Sequence, residues 1–140
     1  MPTYPKSPND RVGGMMWFPR MLDKIRLHAR DELHSDYHPN FGRATAMDGR
    51  CLNFLRVNFG DLKKRVAQGG TDEEILEWCY QNGRRPNEGD LELWNSFVSK
   101  FGWKDQASPF LEKRKAEFGF ADRTDIETFR QLIDLDEGRL

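Results

Sequence analysis

Apolar residues recur along this chain at the spacing of helices, with no alternating pattern strong enough to compete. Phe18, Met21, Leu22, Ile25, Ala29 and Leu33 fall on one arc at about 100° per residue, which predicts a helix from Pro19 to Leu33 with Pro19 in its first turn. Leu27 lies on the opposite side and marks either a second packing surface or a single exposed leucine. Asp48 is placed to cap a short helix through Cys51, Leu52 and Leu55, and Phe59, Leu62 and Val66 mark another that stops at Gly69-Gly70. Thr71-Asp72-Glu73-Glu74 has the capping-box form, so Ile75, Leu76, Cys79 and Tyr80 are expected to face inward on a helix ending at Gly83.

The widest apolar face runs from Asn87 to Phe101, where Leu91, Trp94, Val98 and Phe101 share a side with Leu93 and Phe97. The core is therefore expected to centre on Trp94, Phe97, Val98 and Phe101, with Ile25, Leu76 and Phe129 around them. Ser108-Pro109 opens a further helix that Gly119 stops. Thr124-Asp125-Ile126-Glu127 reads as a second capping box, starting a last helix that carries Ile126, Phe129, Leu132 and Ile133.

Breakers fill the gaps. Pro2, Pro5, Pro8, Asn9 and Gly13-Gly14 predict an irregular arm over residues 1–14, pinned to the body by Met15-Met16-Trp17-Phe18. Pro39, Asn40 and Gly42 predict a loop from Ser35 to Thr45. The expected architecture is all-α, a single compact helical bundle of about seven helices, with 1–140 as one domain behind that arm.

Composition adds constraints. With a hydrophobic fraction of only 37% and an aromatic share of 12%, large side chains such as Phe and Trp are expected to supply much of the buried area. Lys and Arg number 22 against 23 Asp and Glu, so a formal net charge of -1 gives no global field toward nucleic acid or an anionic membrane, and neither is expected as a partner. Cys51 and Cys79 lack Cys-x-x-Cys spacing, which predicts two unpaired thiols in a reducing compartment. With no signal-peptide core and no run long enough to span a bilayer, the expected location is the cytoplasm.

Three stretches carry a likeness to known sequences: Gly13 to Asp36, Gly69 to Arg84, and Trp94-Asn95. Their most particular parts are Phe18-Pro19-Arg20-Met21-Leu22-Asp23-Lys24 and Asn82-Gly83-Arg84. On these the chain resembles the bacterial domain-of-unknown-function family 5069. The resemblance implies a small helical bacterial protein and brings no activity, cofactor or catalytic residue with it.

The candidate chemistry lies on the first helix. Lys24, His28 and Glu32 succeed one another at four-residue spacing, with Asp31 beside them and Arg20 and Asp23 a turn away. A cation, a titratable ring and a carboxylate in line can bind an anion or move a proton. The same charges can equally form a wet face of ion pairs, each contributing little. Arg20, Asp23, Lys24, His28 and Tyr37 are the expected ligand-binding residues, with Arg84 as an anion anchor and the loop from Ser35 to Thr45 folding over them. A carboxylate or phosphate suits such a set.

His34 and His38 are four apart, but Pro39 disfavours helix at His38 and no third and fourth ligand is designated, so no metal site is expected. Lys113-Arg114-Lys115 is flanked by Glu112 and Glu117, leaving little net field. There is no Gly-rich phosphate loop, no Gly-x-Ser-x-Gly elbow and no His partner designated for either cysteine, so no catalytic residue and no cofactor are expected. An enzyme assembled from scattered residues stays open. Of the two remaining readings, an interaction or regulatory protein that docks a protein partner or a second copy needs the fewest special residues. A small-molecule site on the first helix is the other.

Overall fold

A computed structural model describes residues 3–140. It is a compact helical fold of seven α-helices and one 3-10 segment, with a two-stranded ribbon ahead of them among the described residues. Strand β1 (Arg11–Val12) pairs antiparallel with β2 (Met15–Met16), Val12 opposite Met15. Gly13 and Gly14 join them with φ of 56° and 79°, the left-handed pair that a two-residue hairpin turn demands. The arm expected to be irregular over residues 1–14 therefore contains a strand. Two residues per strand are too few for alternation to show in sequence.

Helix α1 spans Phe18–Ala29, with proline in its first turn as expected. It ends earlier than predicted, and Leu33, beyond it, is buried all the same. Leu27 is also buried, so the far side of α1 is a second packing surface. The 3-10 segment Ser35–Asn40 follows, then α2 (Met47–Leu55), α3 (Phe59–Ala67) and α4 (Asp72–Asn82). Both halves of the Thr71–Glu74 capping box are present. Helix α5 (Glu88–Lys100) starts on a second reciprocal cap, Asn87 with Asp90. Helices α6 (Ser108–Glu117) and α7 (Phe129–Asp136) complete the order.

Two expectations need correction. The last helix begins at Phe129 rather than near Thr124, because Thr128 and Gln131 form the cap while Ile126 is buried before the helix starts. The core centre also moves. Trp94 and Val98 are buried, but Phe97 is 39% and Leu93 72% exposed, and Phe101 is only partly covered. Trp94 and Val98 face the interior, Leu91 is partly buried against the same cluster, and Leu93 and Phe97 turn outward. The fully buried large side chains of the main cluster are instead Met15, Phe18, Met21, Leu22, Leu55, Leu62 and Ile75, from β2, α1, α2, α3 and α4. A smaller cluster of Leu111, Ile126 and Leu132 joins α6 to α7.

Helix α5 satisfies backbone groups of the hairpin. Met16 N–H donates to Asn95 Oδ1 at 2.9 Å, Trp94 Nε1 donates to the Met16 carbonyl at 2.9 Å, and Asn95 Nδ2 donates to the Gly14 carbonyl at 2.7 Å. Without these bonds the short ribbon would leave buried polar groups unpaired. No helix among the described residues is long and apolar enough to cross a membrane.

Candidate functional site

The polar residues of α1 divide between the interior and the surface. Lys24 is buried, and its ammonium donates to Asp48 Oδ2 at 2.7 Å. Asp48, also buried, accepts in addition from Trp17 Nε1 at 2.9 Å and from the Gly42 N–H at 3.0 Å. Burial lowers the Lys24 pKa from its ordinary value, and the neighbouring Asp48 carboxylate only partly opposes that shift.

Arg20 sits one turn before Lys24 and is buried too. Its guanidinium grips Glu137 in a two-pronged contact, Nη1 to Oε1 at 2.9 Å and Nη2 to Oε2 at 2.8 Å, and Nη1 also donates to the Lys6 carbonyl. Tyr37 OH donates to Glu137 Oε2 at 2.7 Å, and Arg139 adds a further bond to Oε1. Burial acts to raise the Glu137 pKa, but the hydrogen bonds from Arg20, Tyr37 and Arg139 prevail and hold it below the ordinary glutamate value. Trp17 lies between the two pairs, with the Arg20 guanidinium 5.5 Å and the Lys24 ammonium 5.7 Å from its ring centre. Its backbone takes φ 75°, a left-handed value that is costly for a bulky side chain and that the surrounding bonds hold in place.

The remaining expected residues lie elsewhere. Asp23 is partly exposed and pairs with Lys6 and Arg26. His28 is at the surface, its ring 4.7 Å from Phe41 and 5.6 Å from His38. His34 accepts from the Asp36 N–H, and His38 Nε2 bonds the Leu33 carbonyl at 3.1 Å, so these two rings are engaged with the backbone of their own segment. Among the described residues no three His, Cys, Asp or Glu side chains come together as a metal would need. The segment from Ser35 to Thr45 does supply polar contacts to the α1 network, through Tyr37 and the Gly42 N–H. Arg20, Lys24 and Tyr37 are thus brought together, and both cations of the set already face a carboxylate.

Arg84 belongs to a different place, the carboxyl end of α2. Its N–H donates to the Leu55 carbonyl at 2.9 Å and its Nε to the Phe54 carbonyl at 2.6 Å, while the guanidinium lies 4.5 Å over the Phe54 ring. Gly83 makes the approach possible, since a Cβ there would lie 2.0 Å from the Leu55 carbonyl oxygen. These contacts put a cation against the negative end of the α2 dipole and fix its orientation. The terminal nitrogens stay outside this backbone clamp, with Asp90 as far as 3.9 Å from Nη1.

Arg84 shares a cleft of about 400 Å³ with Arg50, Arg56, Phe54, Trp94 and Phe97. Arg50 lies over the Phe101 ring at 4.8 Å and near Phe97 at 5.9 Å, and Arg56 donates to Asn53 Oδ1. Among the described residues neither Arg50 nor Arg56 is paired with a carboxylate. Phe54 stacks on Trp94 at 5.0 Å, and Phe97 lies tilted against Trp94 at 6.0 Å, giving the cleft an aromatic floor. Another hollow, of about 490 Å³, is lined by Glu88 and Glu92 together with Arg11 and Lys100, so its charges oppose and it has no ring. The arginine cleft is the site whose polar groups share one sign. Arg50, Arg56 and Phe54 were not singled out in sequence, because Arg50 sits on, and Arg56 directly follows, a short helix whose core-facing apolar residues alone form a pattern.

Set against families of known sequences, residues 2–139 match the model of a family described as a domain of unknown function, DUF5069. No curated protein matches the chain.

Proposed function

Since the chain belongs to this family, whose description states no activity, we propose a function from the cleft alone: a non-catalytic binding protein that recognises an anionic group on its ligand. The observation that carries the reading is that Arg50, Arg56 and Arg84 line one cleft while the nearest carboxylate to any of them, Asp90, stands at 3.9 Å from Arg84. Two of the three, Arg50 and Arg56, have no carboxylate partner among the described residues and Arg84 has only the long contact to Asp90, which leaves guanidinium donors suited to two-pronged recognition of phosphate or carboxylate. The α1 network has a supporting role in this reading. Arg20 and Lys24 are neutralised by Glu137 and Asp48, and these pairs tie α1 to the end of α7 and to α2, the helix that carries Arg50. The lining of the cleft supplies charge and stacking and no nucleophile or base. A cytoplasmic setting goes with the reading, supported by the two unpaired thiols.

The test is a nuclear magnetic resonance titration with inorganic phosphate. Amide and guanidinium signals of Arg50, Arg56 and Arg84 are expected to shift together and saturably, and Arg84→Gln to weaken the effect at least fivefold. Shifts confined to Arg20, Lys24 and His28 would move the site to α1, and no shift at any arginine would end the proposal.

A second reading, docking of a protein partner or a second copy, is favoured by the outward face of α5. Leu93 and Phe97 are neighbours one turn apart on it and both are exposed. Light scattering across a hundredfold range of concentration, with Leu93→Glu as control, distinguishes self-association from a monomer.

A further inference from the structure

We propose that the ligand of the arginine cleft is an aromatic phosphate, a planar ring carrying a phosphate monoester, of which a nucleoside monophosphate is the type. The inference rests on the binding reading above and specifies its ligand. Three features of the cleft point to it together.

The first is the number and kind of the cations. A carboxylate satisfies one guanidinium, whereas a phosphate monoester brings close to two negative charges and three acceptor oxygens, enough for several donors at once. Arg50, Arg56 and Arg84 offer such a set. The second is their fixation. Arg84 is clamped by the Phe54 and Leu55 carbonyls and by the Phe54 ring, and Arg50 lies over Phe101, so little side-chain freedom is left to lose on binding.

The third feature is Phe97. Its ring lies within a run of aromatics, tilted against Trp94 at 6.0 Å and against Phe101 at 5.3 Å, yet it lines the cleft with 39% of the residue exposed. An aromatic ring left open beside guanidinium planes, of which those of Arg50 and Arg56 have no carboxylate partner among the described residues, is a stacking platform for another ring. Phosphate alone would leave that ring in water. At about 400 Å³ the cleft falls within the ordinary range for a small ligand.

The experiment is isothermal titration calorimetry of the full chain with adenosine 5′-monophosphate, ribose 5-phosphate and inorganic phosphate. The nucleotide is expected to bind at least tenfold more tightly than either ring-free phosphate. Phe97→Ala should remove most of that advantage and weaken inorganic phosphate far less than the nucleotide, while Arg50→Gln weakens all three. Phe97→Leu, which keeps the bulk and removes the ring, gives the same discrimination should the alanine variant fold poorly. Equal affinities for the nucleotide and ribose 5-phosphate overturn the aromatic inference and leave the anion reading standing. So does a nucleotide advantage untouched by either Phe97 variant. Absence of binding by all three compounds overturns both.

Discussion

The Lys24 ammonium stands 2.7 Å from Asp48 Oδ2 with 5% and 0% of the two side chains exposed, an ion pair as fully withdrawn from water as the Arg20–Glu137 pair beside it. Removing one partner strands the other charge in the interior. Lys24→Met is therefore expected to cost about 3–5 kcal/mol, the usual penalty for breaking a buried pair. The double variant Lys24→Met with Asp48→Asn should recover part of that loss, since no ionised group is then left alone. Urea denaturation of the two variants checks this, and equal losses would show that packing rather than charge decides.

Glu137 predicts an acid dependence. Its folded pKa is held below the ordinary 4.5, so the folded state binds the proton less tightly than the unfolded chain does. The stabilisation is complete above about 4.5 and is lost as pH falls through the depressed folded value. In Glu137→Gln the difference from wild type should be largest near neutrality and shrink below pH 4.5, measured as midpoints of chemical denaturation at several pH values. A gap independent of pH would refute the assignment.

Gly83→Ala tests the close approach that positions Arg84. The added Cβ meets the Leu55 carbonyl oxygen at 2.0 Å, and that oxygen is backbone, which cannot swing aside. A cost of about 1–3 kcal/mol is expected from the forced separation. Phosphate binding by the cleft should weaken in the same variant, because Arg84 loses its anchor.

Along α5 the structure separates residues that the sequence grouped together. Trp94→Ala is expected to cost roughly 3–5 kcal/mol, as for other buried large rings. Leu93→Ala should stay within about 0.5 kcal/mol, the range of surface changes. Thermal denaturation of the pair reads the contrast directly.

Cys51 and Cys79 should be inert in the native state. Both are buried, and burial raises both thiol pKa values, that of Cys79 to about 12. Labelling by a thiol reagent at neutral pH is expected to proceed only as fast as the protein opens, with the rate rising in urea below the unfolding midpoint. Rapid labelling of either thiol in the absence of denaturant contradicts this.

Much of the fold was legible because helix starts are local. Thr71 and Glu74 are three residues apart, and their reciprocal bonds need nothing from the rest of the molecule. The last helix shows the limit. Thr124 and Thr128 both precede an acceptor at the right spacing, and the choice between them falls to tertiary structure, where Ile126 is buried and the Phe129 N–H donates to the Phe101 carbonyl. The site was harder. Arg20 and Lys24 stood out on the helix face, but Asp48 and Glu137 lie 24 and 117 positions further along, and spacing within one helix carries no sign of such partners. Arg84 could be picked out in sequence as a candidate, whereas Arg50 and Arg56 join it in one cleft only once α2 is packed against the α4–α5 connection.

The contacts between residues 5–9 and 134–139 have a kinetic meaning. Ser7 donates to Asp134 at 2.9 Å across 127 positions, Asn9 Nδ2 reaches the same carboxylate, and Arg139 Nη2 reaches the Pro5 carbonyl. Joining segments so distant in sequence requires closing a very large loop, a step whose entropy is not recovered until nearly everything between them has condensed. Such a clasp contributes little to the folding barrier and most of its strength to the unfolding one. It acts as a latch: loosening Asp134 should leave the refolding rate almost as it was and shorten the lifetime of the folded molecule.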